Sequence, residues 1–442
     1  MLRLSSPGCI SDFKGDVLFI VIALHVAQLR SNIHVAHSAG HMPDGRSVRQ
    51  MQMADTAAEG FKVVDKRLPF APDRNFYYLT GLTEPGYILL MTKLHGKLSQ
   101  QLFLARPDPY LELYHGKMPT AEELQKQACL DQAHYLDKLD WELGRLFSRN
   151  SFEVLCMDFH KRELDTTAYP EHDLAKRIIS AHPYLTMKNI APVINNMRRV
   201  KTPEEIAAIR EAVRLTGLGI ESILRHMKPG IGEWQLQAYF DFELKFGGAM
   251  GNAFSPIIAS GSNSVSLHYE RNDQVLSKGL LLLDLGAEYQ YYSADISRTF
   301  PISGKFTAEE RYYYEAVLKA QEAILQALKP GYPIDDTLEL ARDTMYPYCR
   351  EAGTAKDRAD MVKLLPHGVC HYLGLDTHDV GDRVEVCEGM TVAIEPGLYF
   401  PEKGFGIRIE DDALVTAGGC ELISGQILKD PDEIEDFING KL

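Results

Sequence analysis

The chain is 442 residues long, more than one ordinary domain accommodates, so two or three domains are expected. Its 45% hydrophobic and 24% charged residues exclude a disordered chain. A formal net charge of −14 leaves no broad basic field, which speaks against nucleic acid and an anionic membrane as partners.

The seven cysteines are Cys9, Cys129, Cys156, Cys349, Cys370, Cys387 and Cys420. They form no CxxC pair, against a zinc ribbon, a thioredoxin-like site or a disulfide framework. They read as thiols of a reducing compartment, and cytoplasm is the expected location.

From the N-terminus, Val17 to Val26 is the longest apolar run. It is far too short to span a bilayer. Arg3 and Lys14 precede it as in a signal peptide, but Asp12 and Asp16 flank it and no clean small-residue cleavage site follows, so a buried strand is expected. Residues 1–60 otherwise lack clear periodicity. His34, His37 and His41 have spacings that suit one helix face, but Gly40 and Met42-Pro43 favour a loop, and no metal site is assigned there.

Residues 61–195 alternate strand-like runs, Tyr87 to Met91 and Leu102 to Leu104, with helical stretches such as Ala121 to Ala128. That alternation predicts an N-terminal α/β domain. The segment Asn75 to Gly81, rich in aromatics, reads as a strand closing in a glycine turn.

A third region, 196–442, opens at Thr202-Pro-Glu-Glu205. Thr202 suits an N-cap, Pro203 the first helical position, and Glu205 completes a capping box. Apolar residues recur at helical spacing from Ile206 to Met227, although Gly217 and Gly219 are poor helix formers. The helix stops near Lys228-Pro-Gly230. The design recurs at Thr307-Ala-Glu-Glu310, whose helix stops at Lys329-Pro-Gly331. This weak internal duplication predicts two related α/β halves with a site at their junction.

Chemistry concentrates in that region. The apolar run Leu280 to Leu283 ends in Asp284, and Asp295 follows eleven residues later. A hairpin would bring both acids to one sheet end. Met390 to Ile394 ends in Glu395, and Gly406 to Ile409 ends in Glu410. Between Asp295 and Glu395 stand His367, His371 and His378. Burying four free anions would cost several kcal/mol each. Arg298 and Arg408 are the near cations in sequence. Two divalent ions would compensate the acids, and a carboxylate-dominated set with one imidazole favours manganese, iron or cobalt over a structural zinc. Any one acid alone could be a solvent-facing strand end; three strands ending in acids, with three histidines, make that reading poor. No G-x-S-x-G elbow, P-loop or post-strand G-x-G-x-x-G occurs. Cys370 reads as a buried spectator thiol.

These segments, with Asp73-Arg-Asn-Phe-Tyr-Tyr-Leu-Thr-Gly-Leu-Thr-Glu-Pro85, resemble the pita-bread metallopeptidases of the aminopeptidase P and prolidase branch. The resemblance covers roughly 65–425. It implies an α/β (α+β) fold: a creatinase-like N-terminal domain, then a pseudo-twofold pita-bread catalytic domain. It implies two divalent metal ions, taken as manganese, held by Asp284, Asp295, His371, Glu395 and Glu410, with Asp295 and Glu410 bridging. Glu395 would also serve as general base. His268 and His378 match substrate-side histidines, His367 the outer member of its motif, and Arg408 an arginine beside the bridging acid and proline pocket. The implied activity is Xaa-Pro aminopeptidase, on peptides with proline second; a homo-oligomer, dimer or tetramer, is also implied. Only sixteen residues separate His378 from Glu395 and fourteen Glu395 from Glu410, shorter than in many prolidases. A prolidase is the alternative, and a metal-free creatinase-like hydrolase or peptide-binding relative a third reading.

Overall fold

Alternation in strand residues decides the N-terminal architecture. In the computed structural model, which describes residues 16–23, 71–159 and 170–441, β1 (Val17–Ala23) is an inner strand of a six-stranded sheet. The sheet is completed by β2 (Tyr87–Leu94), β3 (Lys97–Leu104), β4 (Gln132–Tyr135), β5 (Val154–Met157) and β6 (Thr186–Asn189), in the order β4-β3-β2-β1-β5-β6. The expected buried strand is therefore present, paired antiparallel to β2 and parallel to β5. His34, His37 and His41 fall outside the described residues.

Successive side chains feed opposite faces. Val17, Leu89, Met91 and Leu102 pack with Phe76, Leu79, Leu124 and Ile194 on one side. Leu18, Ile88, Leu90 and Phe103 pack with Leu143, Leu146, Leu174 and Ile178 on the other. The covering helices are α1 (Arg74–Thr80), α2 (Pro109–His115), α3 (Ala121–Gln127), α4 (Leu139–Arg149), α5 (Pro170–Ala181) and α6 (Ala191–Arg199), of which α2 buries no residue.

One expectation is corrected here. Across residues 75–81 the expected strand is replaced by the helix Arg74–Thr80. Asp73 accepts the Phe76 N–H at 2.8 Å as N-cap, and Gly81, at φ +68°, closes the other end in the left-handed conformation. Aromatic content suggested a strand, but two caps and the buried i, i+3 pair Phe76 and Leu79 outweigh it.

The chain separates into two compact units, one reaching to Asn195 and one running from Asn196 to Leu442. In the second, α7 (Pro203–His226) starts at the expected Thr202–Glu205 capping box. It runs unbroken through Gly217 and Gly219, because tertiary contact outweighs propensity there. A Cβ on Gly219 would lie 2.3 Å from the Phe240 ring of α8 (Glu233–Phe246), so glycine lets the two helices approach.

After the short strand β7 (Gly251–Asn252) come β8 (Ile257–Ser260), β9 (Leu280–Leu285), β10 (Ala287–Tyr289), β11 (Tyr292–Ser293) and β12 (Ile296–Pro301). The second half repeats the plan. Helix α9 (Ala308–Ala327), capped by Thr307 and Glu310, is followed by α10 (Asp336–Glu351). Strands β13 (Cys370–Tyr372), β14 (Thr391–Ile394), β15 (Gly397–Phe400), β16 (Phe405–Arg408), β17 (Asp411–Thr416) and β18 (Gly419–Leu422) follow, then α11 (Pro431–Ile438). One half holds the helix pair α7–α8 and the sheet β12-β9-β8, with α8 against β8; the other holds the pair α9–α10 and the sheet β13-β14-β17-β18, with α9 against β14 and β18. The two related halves read from the repeated capping boxes are thus present.

Candidate metal centre

Asp284, Glu395 and Glu410 stand at or just past the ends of apolar strands, Asp295 just ahead of one, and His371 in the middle of the short β13. Strands β9 and β12 pair antiparallel with Asp284 opposite Ser297, which leaves Asp295 one residue ahead of β12. His371 lies in β13 opposite Ala393 of β14, and Glu395 follows the last residue of β14. Glu410 occupies the gap between β16 and β17, its N–H donating to the Ser297 carbonyl at 2.9 Å. Strand interiors bury the backbone-paired leucines and valines, and strand ends deliver the polar side chains to one place.

All five residues expected as ligands come together. Ligand atoms within 4.8 Å of one another group as Asp284, Asp295 and Glu410; as His371, Glu395 and Glu410; and as Asp295, His371 and His378. His371 Nε2 lies 3.4 Å from Asp295 and 3.7 Å from each of Glu395 and Glu410. Two buried polar atoms of this cluster, Asp284 Oδ1 and His371 Nε2, have no hydrogen-bond partner. Buried polar atoms are rarely left so, and an acceptor set of oxygens around one bare imidazole nitrogen is the donor chemistry a hard divalent cation requires. The residues fit the metal that the family implies.

Electrostatics point the same way. Burial, with Glu410 alongside, raises Asp295 well above the carboxylate range and pushes Glu395 up to about 8. Burial raises Asp284 too, against the pull of Arg408. Burial would lower His371, but the neighbouring Asp295 and Glu410 carboxylates outweigh it and hold it high. Glu410, despite burial, is held low by His371. Anions packed this closely oppose one another's ionisation, and cations reverse that balance.

Arg408 lies beside the cage, but the acid it holds is Asp284; it reaches Glu410 only through Ser297. It donates to Asp284 Oδ2 at 2.6 Å, to Ser297 Oγ at 2.7 Å and to Tyr399 OH at 2.9 Å. Ser297 passes the contact on, donating to Glu410 Oε2 at 2.8 Å. His367 Nε2 lies 2.9 Å from the Tyr399 hydroxyl, and burial brings this imidazole down to about 4. Arg298, read as a near cation, does not touch the cage carboxylates; its guanidinium is taken by Asp411 at 2.6 Å. The substrate-side pair is exposed: His378 has its ring 4.1 Å from that of His371 and is lowered to about 4, first by burial of its ring and then by His371. His268 lies close enough to depress both His367 and His378.

Ser297, Tyr399 and Asp412 were not singled out in the sequence. Asp412, fully buried, accepts the Asp295 N–H at 3.0 Å. The signal for two of them was period 2: Ser297 lies two residues after Asp295 and Asp412 two after Glu410.

The profile for "Metallopeptidase family M24" matches residues 207–417, and that for "Aminopeptidase P, N-terminal domain" matches residues 50–155. The chain is 30% identical to the Xaa-Pro aminopeptidase of Haemophilus influenzae, covering 89% of this chain and 95% of that one. It is 32% identical to the Xaa-Pro aminopeptidase of Escherichia coli, covering 88% and 94%. The structure of proline aminopeptidase P II from Yersinia pestis superposes with a TM-score of 0.80 at 29% identity, covering 96% of this chain and 95% of that chain.

Fold, site and relatives define a hydrolase of the metallopeptidase class, and the chain belongs to family M24. Its branch is that of aminopeptidase P, whose N-terminal domain it also carries.

Proposed function

We propose that this chain is a metal-dependent Xaa-Pro aminopeptidase, removing the first residue of peptides that carry proline second. The observation that carries the reading is overlap: Asp295, His371 and Glu410 each belong to two ligand groups, the arrangement that two adjacent ions sharing carboxylates require. The names of the relatives support the substrate class.

Two divalent ions, taken as manganese, would be held by Asp284 on one side and His371 with Glu395 on the other, bridged by Asp295 and Glu410. When bound, they polarise a carbonyl and bring the pKa of a water toward neutrality. Glu395 is the group we assign to take the water's proton and deliver it to the leaving proline nitrogen. His378, neutral above about pH 4, offers an N–H donor rather than a competing charge to the scissile carbonyl. His268, near both His367 and His378, is the second such donor. Proline's nitrogen has no hydrogen, so peptide N–H contacts are unavailable and imidazole donors replace them. Arg408 holds Asp284, Ser297 and Tyr399 in one network beneath the cage.

The segment between Glu395 and Glu410 is spent almost entirely on the β15–β16 hairpin, which supports an open cleft beyond the proline subsite. Six cysteines among the described residues form no disulfide, in keeping with a reducing compartment, and no described helix is long and apolar enough to cross a membrane. We extend the reading to a cytoplasmic homo-oligomer, which sedimentation would test.

The deciding experiment compares an Xaa-Pro dipeptide, an Xaa-Pro-Yaa tripeptide and its N-acetylated form on metal-reconstituted protein. Release of the first residue from the free tripeptide is expected. Cleavage confined to the dipeptide makes the protein a prolidase, and brisk cleavage of the acetylated form overturns exopeptidase action.

A further inference from the structure

His268 and His378 are exposed side chains on segments that belong to no strand. A donor on an unrestrained loop wanders by more than the fraction of an ångström that catalysis tolerates. In both cases the next residue in the chain is turned inward and tied to a buried charge.

After His268 comes Tyr269, 9% exposed, whose hydroxyl donates to Glu233 Oε2 at 2.8 Å. Glu233, the first residue of α8, is wholly buried. Its other oxygen accepts the Ser260 N–H at 2.8 Å, and Oε2 also accepts the Gln274 N–H at 3.0 Å. One carboxylate therefore fastens both ends of the loop that carries His268, and Tyr269 fastens its middle.

After His378 comes Asp379, its side chain 1% exposed. One oxygen meets Arg198 Nη2 at 2.5 Å and the other Lys201 Nζ at 2.9 Å, both cations being buried. Arg198 also holds Asp376 at 2.7 Å, two residues before His378. The Asp379 N–H donates to the Tyr372 carbonyl at 2.8 Å. Packing leaves no slack: a Cβ on Gly374 would come within 2.1 Å of the Asp379 carboxylate. Burial alone would raise Asp379, but Lys201 and Arg198 outweigh it and keep the carboxylate ionised.

We propose that Tyr269 with Glu233, and Asp379 with Arg198 and Lys201, are positioning residues for His268 and His378, each anchor acting through the adjacent peptide unit. The inference rests on the substrate role proposed above for the two histidines. It assigns the buried charges a task beyond stability, since a cluster serving stability alone has no reason to stand next to both donors.

Double-mutant cycles on the full-length, metal-loaded enzyme separate the two tasks, with kcat for an Xaa-Pro-Yaa tripeptide as the readout. Asp379→Asn should lower kcat about tenfold to a hundredfold, the scale of a displaced supporting shell, with metal content by elemental analysis unchanged. In a His378→Ala background the same change should lower kcat no further, whereas with His268→Ala the two losses should multiply. Tyr269→Phe removes one hydroxyl and no charge; its loss should vanish in a His268→Ala background. An equal loss in every background overturns the positioning role and leaves a structural one. Undiminished kcat in His378→Ala and His268→Ala themselves would overturn the substrate role on which the inference stands.

Discussion

Glu410 and Asp411 are neighbours in the chain and both are buried, yet their surroundings treat the two carboxylates in opposite ways. Asp411 receives Arg298 at 2.6 Å, Lys429 at 2.7 Å and the Ser424 hydroxyl at 2.6 Å, and these cations keep it ionised although burial opposes that. Glu410 faces Asp284, Asp295 and Glu395 instead, with His371, the nearby Arg408 and the Ser297 hydroxyl in its favour. One carboxylate is complete within the protein; the other belongs to a set with an excess of negative charge and two bare polar atoms. Burial does not distinguish structural acids from ligands. Compensation does.

That contrast can be broken by four measurements. The largest effect should come from Glu410→Ala or Asp295→Ala, which takes a shared anion from both ions and should bring activity to background with loss of bound metal. A variant that kept two ions per chain by elemental analysis at near-normal rate would remove the bridging roles. Next, His378→Ala should lower turnover by about two to four powers of ten with the metals still in place. Its imidazole lies within ligand reach of Asp295 and His371, so metal lost from this variant would move His378 into the coordination set.

The complete pair should behave differently. Arg298→Leu takes from Asp411 one of its two cationic partners, leaving Lys429 alone, and should cost about 3–5 kcal/mol in denaturant unfolding, while folded protein keeps its metal. Normal stability with lost metal would reverse the division drawn here.

The smallest effect is a slope with pH. Glu395 rises from its ordinary 4.5 to about 8 in the folded cage, so its contribution is full below 4.5 and lost as pH climbs through 8. His371, also raised, has the same sign. His367 and His378 fall from 6.5 to about 4 and run the other way, losing stability only as pH drops below 6.5. Between 6.5 and 8 the raised groups dominate. Chelated protein should therefore melt at a lower temperature at pH 8, by roughly 2–8 °C, the scale of one or two kcal/mol in a unit this size. Added manganese should recover more at pH 8 than at 6.5. A chelated protein whose melting point climbed across this window would contradict the cage electrostatics.

Legibility followed the range of the interactions. The capping boxes at Thr202 and Thr307 are local chemistry, and both helices begin where those residues indicate. Asp284, Glu395 and Glu410 stood out because a carboxylate closing an apolar run is costly without a partner, whereas the choice of Asp295 and His371 as ligands beside them followed from the family resemblance. Two kinds of feature were not readable. Residues 75–81 combine strand-prone aromatics with helix caps, and the contest is settled by which side chains meet the sheet. Tyr399, Arg298 and the Asp379 anchors depend on partners 9 to 181 residues away, which no local pattern announces.

The cage spans positions 284 to 410 and draws on both halves of its domain, with Glu410 tied by its backbone to Ser297. An unfolded chain holds these groups far apart and offers a cation almost nothing. Assembly must therefore precede metal, and the ion acts as a latch rather than a seed: it should leave the refolding rate alone and slow unfolding in proportion to its occupancy.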